Sequence, residues 1–137
     1  MTNHKRSGSF LGMMDNVYVE MNRALSGGAW NLALRRAQEV VELGLKGLIL
    51  LLGGDYPRIH DAAQGFADLI RERNLDVTEA TLSEIRALSR ELEQKRAPAF
   101  YSEIEVTESQ AQHAADGATL VLDLARRLWD ELGPQRD

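Results

Sequence analysis

One helical stretch constrains this chain more than any other feature. Over residues 30–52, apolar side chains recur at spacings of three and four, and in the last third nearly every position is apolar. A helix that is apolar on all sides has no face suited to water, so it must lie at the centre of a fold. The run stops at Gly53-Gly54, where Gly53 suits the left-handed position that closes helices. The turn Tyr56-Pro57-Arg58-Ile59-His60-Asp61 then delivers the chain into a second amphipathic segment. The remaining segments must be arranged to cover this central helix.

Four further helices are expected around it, and no alternating strand pattern competes with them. Met14, Val17, Met21 and Leu25 recur at helical spacing and define a short first helix that stops at Ser26-Gly27-Gly28. Residues 1–12 read as a flexible tail, and residues 13–137 as a single helical domain. Asp61 is suited to cap the third helix, whose apolar face is Ala62, Phe66, Leu69 and Ile70. Thr78 opens the fourth, with a stripe of Leu82, Ile85, Leu88 or Ser89, and Leu92. Because Pro98 disfavours helical geometry at Ala97, this helix is expected to end near Arg96. Thr107-Glu108-Ser109-Gln110 fits a capping box for a fifth helix, which Gly133-Pro134 terminates. The fold class is therefore all-α, an up-and-down bundle of about five helices.

Small residues interrupt two of these helices. Gly44 and Gly47 lie inside the central helix, where each costs ~1 kcal/mol relative to Ala. Ala111, Ala114, Ala115, Gly117 and Ala118 thin the last helix. Close packing between these two helices would account for both sets, and a dimer seam would use the same surfaces.

Composition removes several function classes. The chain has no cysteine, which excludes disulfides, thiolate metal sites and a cysteine nucleophile. A formal charge of −5 over 137 residues argues against a broad electrostatic footprint on nucleic acid, although it leaves room for a local basic cleft. Residues 1–11 lack the apolar core of a signal peptide, and the apolar run over 43–52 contains Lys46 and is about half a membrane span. A cytoplasmic protein without a membrane role is expected.

The residues that could carry chemistry are few. Arg35, Glu39, Glu42 and Lys46 share one stripe of the central helix and read as a salt-bridged face or as part of a ligand or dimer surface. His60-Asp61 invites comparison with all-helical HD phosphohydrolases, but those need further ligands, and no spacing enlists His113, Asp116 or Asp123. Neither a Glu-x-x-His pair nor a phosphate-binding glycine motif is present, so no metal or cofactor is expected. Arg86, Arg90, Lys95 and Arg96 make one side of the fourth helix basic, diluted by Glu84, Glu91 and Glu93. Phe100 and Tyr101 follow these cations, placed either to stack on a base or to cover the core.

Three stretches together resemble the HEPN family (higher eukaryotes and prokaryotes nucleotide-binding). Residues 35–46 look like its signature long helix, and Tyr56-Pro57-Arg58-Ile59-His60-Asp61 like its Pro-x-x-His-Asp turn. Arg96-Ala97-Pro98-Ala99-Phe100-Tyr101, with the alanine-rich last helix, resembles its C-terminal part. The likeness runs from about residue 22 to residue 132. It implies a helical bundle, commonly a homodimer, acting in RNA or nucleotide biology, often beside a nucleotidyltransferase in a toxin–antitoxin pair.

Many members of the family cut RNA with an Arg-x4-6-His motif, and this chain has none. The positions where His60 would need an arginine are Gly53, Gly54 and Asp55; for His113 they are Val106, Thr107 and Glu108. His4 has no arginine before it, and Arg96 meets Tyr101, Ser102 and Glu103 where a histidine would fall. A phenol with a pKa near 10 is a poor general base at neutral pH, but it can donate a hydrogen bond to phosphate. The resemblance therefore implies a non-catalytic binding module, with Arg58, His60, Arg96 and Tyr101 as ligand residues and Lys46 as an outlier. A ribonuclease with a degenerate motif and a purely structural interaction bundle are the alternatives.

Overall fold

The computed structural model describes residues 3–55, 61–100 and 105–133, with side-chain surroundings for 4–55, 61–95 and 105–133. Its elements are α1 (Asn3–Ser26), α2 (Trp30–Leu51), α3 (Ala62–Glu72), α4 (Glu79–Phe100) and α5 (Glu108–Leu132). All five expected helices are present, and among the described residues there is no strand. The chain is an all-α bundle.

The central role of α2 follows from its burial. Ala33, Leu34, Ala37, Val40, Val41 and every residue from position 47 to 52 are buried. Neighbouring helices pack around it with alternating directions. Met14 and Leu11 of α1 meet Gly44 and Gly47 of α2 respectively, so the two helices run antiparallel. Gln38 of α2 donates to Glu93 of α4 at 3.3 Å, while Arg73, just before α4, donates to the Leu52 carbonyl at 2.8 Å. That order sets α4 antiparallel to α2. Leu88 against Gly117 and Glu91 beside His113 set α5 antiparallel to α4.

The glycines inside the helices are explained within one chain. A β-carbon on Gly44 would lie 2.8 Å from Val121 Cγ1 of α5 and 3.1 Å from Met14 Sδ of α1. One on Gly47 would lie 2.7 Å from Leu11 Cδ2, and one on Gly117 2.5 Å from Leu88 Cδ1. Each glycine is a socket for a neighbour's side chain, but only Gly44 shows the expected contact between α2 and α5, and Gly117 of α5 receives Leu88 of α4. The principal neighbour at Gly47 is α1 rather than α5.

Local capping matches the sequence signals. Asp61 accepts from the Gln64 amide at 3.1 Å, Thr78 from the Thr81 amide at 3.1 Å, and Thr107 with Gln110 closes a complete capping box. Gly53 has φ +85°, a left-handed conformation that glycine takes without a β-carbon clash.

Two expected boundaries are corrected. Residues 3–12 are helical rather than a flexible tail, and they form the first half of α1. Ser7 and Leu11 extend the buried Met14 and Met21 stripe backwards, and buried Ser7 donates to the Gly47 carbonyl at 2.8 Å. The apolar signal was weak there because Ser7, Gly8, Ser9 and Gly12 are small, and of these Ser7 and Gly8 let α1 lie close to α2 and to Trp129 of α5. The second correction concerns α4, which continues through Pro98 to Phe100 instead of ending near Arg96. A proline removes one donor and biases its predecessor, and that local preference does not by itself end a helix.

Candidate functional site

Most of the expected ligand residues fall outside what the structure describes. Arg58, His60 and Tyr101 lie outside the described residues, and for Arg96 and Phe100 only the helical backbone is described. Lys46 is the one ligand candidate whose side chain can be placed. What surrounds these positions can still be built from the elements that carry them.

Beyond its first turn, α2 leaves one strip partly exposed: Arg35, Arg36, Gln38, Glu39, Glu42, Leu43 and Lys46. Of the expected charge pairing along it, the Glu42–Lys46 pair is observed. Lys46 donates to Glu42 at 2.7 Å with only 20% of its side chain exposed. Glu39, however, takes its partner from Arg36, one residue round the helix from the stripe read in the sequence.

The pairing of Gln38 with Glu93 fixes the level of this strip against α4. Arg96 stands three residues beyond Glu93, and Lys46 eight residues from Gln38 in the opposite axial direction. At 1.5 Å per residue, the two levels differ by about 16 Å. The helices do not bring Lys46 to Arg96. The α2 cations level with Arg96 are Arg35 and Arg36, which sequence reasoning placed on a structural stripe. Only the antiparallel register of α2 and α4 reveals this shared level, and no local pattern encodes it.

Most other described cations are engaged within the fold. Arg71 holds Glu79 through two hydrogen bonds of 2.8 and 2.7 Å, tying the end of α3 to the start of α4. Those bonds hold the Glu79 carboxyl below its ordinary value and the Arg71 guanidinium above its own. Lys95 donates to Glu91 at 2.9 Å, which together with nearby His113 lowers the Glu91 carboxyl. Arg73 donates to the Leu52 carbonyl and Arg127 to that of Asp76. Arg86 donates to Gln64, one turn into α3 from its Asp61 cap.

The histidines show no shared chemistry among the described residues. His113 is exposed, with Nε2 3.4 Å from Glu91 Oε2, whereas His4 lies in the first turn of α1 with an enclosed Nδ1 that has no hydrogen-bond partner. Among the described residues, no group of three or more His, Asp or Glu is disposed to hold a metal ion. Nor is any described helix long and apolar enough to cross a membrane.

Comparison with known proteins agrees with this architecture. No curated protein and no solved structure matches the chain. The family model of the HEPN domain matches residues 17–128, from the middle of α1 to the last turns of α5. The match takes in the central helix, the Pro57 to Asp61 turn and the Arg96 segment, and the chain belongs to the HEPN domain family.

Proposed function

We propose that this chain is a non-catalytic HEPN module that binds a nucleotide or RNA. The observation that carries the reading is membership of a nucleotide- and RNA-associated family by a chain that lacks the Arg-x4-6-His motif. Arg96 and Arg58 neutralise phosphate, while His60 and Tyr101 hydrogen-bond it or stack on a base. Arg35 and Arg36 stand level with Arg96 at the same end of the α2–α4 pair, Arg36 in an ion pair with Glu39. Lys46, about three turns away and paired with Glu42, lies outside the site.

In this reading the module works as a homodimer in the cytoplasm beside a nucleotidyltransferase, and HEPN membership supports the homodimer. The test is titration of the purified chain with a short fluorescent RNA and a panel of nucleotides. Saturable binding that falls about tenfold in Arg96→Ala is expected, the size of one lost charged hydrogen bond to phosphate. Binding unchanged by that substitution removes Arg96 from the site. RNA cleavage above an Arg96→Ala control supports a degenerate ribonuclease instead, and a dimer without nucleotide affinity supports a structural bundle.

A further inference from the structure

The first half of α1 and the last turns of α5 enclose a cleft of about 360 Å³, within the size range of small-molecule sites. Its floor is apolar, made by Leu11, Met14 and Ala125, and the Trp129 indole forms one wall. The indole approaches α1 where there is no side chain: a β-carbon on Gly8 would lie 3.3 Å from its ring edge. Above Gly12 the space is open, since a β-carbon there meets nothing within 4 Å.

The rim is charged and unbalanced. Arg126 donates to Asp15 at 3.0 Å, bridging the two helices. Asp130 also lines the cleft and has no ion-pair partner among the described residues. Among the described lining residues, two carboxylates against one guanidinium leave a net negative charge over an apolar, aromatic interior. Such a site repels phosphate and attracts a cation that carries an aliphatic chain, and an indole adds a cation–π contribution.

We propose that this cleft binds a free aliphatic amine, its chain on Leu11, Met14 and Trp129 and its ammonium at Asp130. The site is separate from the proposed phosphate-binding residues. The His113 to Glu91 contact sets the register of α5 on α4, and from it Trp129 lies about 30 Å along the bundle from the level of Arg96. Failure of either reading therefore leaves the other intact.

The full chain, labelled with nitrogen-15, is titrated with n-pentylammonium and separately with 1-pentanol. The readouts are the Trp129 indole N–H resonance, identified by its loss in Trp129→Phe, and the Gly12 amide. Saturable shifts of both resonances with n-pentylammonium are expected, at least about tenfold weaker for 1-pentanol and for Asp130→Asn. Gly12→Leu fills the cleft and abolishes the shifts. If that variant fails to fold, the exposed Asp130→Asn still decides the question. Absence of saturable shifts overturns the proposal, and so does equal affinity for pentanol or for Asp130→Asn.

Discussion

Glycines with opposite surroundings illustrate how single residues act in this bundle. Gly44 is a socket closed by Val121 and Met14, whereas Gly12 faces open space. Gly12→Ala is expected to stabilise the fold by ~0.5–1 kcal/mol, because it removes backbone entropy from the unfolded chain and adds no clash. Gly44→Val should lose ~2 kcal/mol or more, since the stiff branched side chain overpacks against another one. Urea unfolding of the two variants reads both signs directly. A second prediction concerns Glu91, whose carboxyl is lowered first by the Lys95 hydrogen bond. A depressed folded-state pKa stabilises above the unfolded value, near 4.3, and that contribution disappears as pH falls through the folded value. Because the pair is partly exposed, the difference between wild type and Glu91→Gln should be no more than ~0.5 kcal/mol at pH 7. It should vanish at pH values below the folded pKa, as measured by thermal unfolding across the pH range.

At the level of elements, α1 is where the sequence and the fold part company. Deleting residues 2–12 should cost about 3 kcal/mol or more, because buried Leu11 and the cover over Gly47 go with them. A flexible tail would leave the melting temperature unchanged, so calorimetry of the truncated chain separates the two. Thr107→Ala should cost ~1 kcal/mol by opening the capping box of α5. The caps at Asp61, Thr78 and Thr107 were legible because each uses residues three apart, and the central helix because its apolar run leaves no exposed side. The start of α1 was not, because Ser7 is buried through a hydrogen bond to a residue on another helix. The end of α4 was not either, because a proline's local bias yields to the helix around it. At the candidate site, Arg96 and the family turn were found from resemblance, whereas the level of Arg35 and Arg36 depends on the Gln38 to Glu93 register. Periodicity reports which face of a helix is buried; it does not report which turn of a neighbour lies beside it.

At the scale of the whole molecule, the bundle is held by an apolar helix whose glycines seat side chains from two neighbours, and its described cations are largely engaged in internal pairs. Family membership then directs attention to the segment before α3 and to the end of α4, and the proposed function rests the distinction between binding and cutting on the missing Arg-x4-6-His motif. The central claim is therefore that this HEPN chain holds RNA or nucleotide without hydrolysing it. The most direct measurement follows one labelled RNA incubated with the purified protein, recording anisotropy and strand integrity in the same sample. The account predicts a saturable rise in anisotropy with the RNA intact, and a weaker rise for Arg96→Ala. Strand cleavage that disappears in Arg96→Ala, or no rise in anisotropy with any RNA or nucleotide, would contradict it.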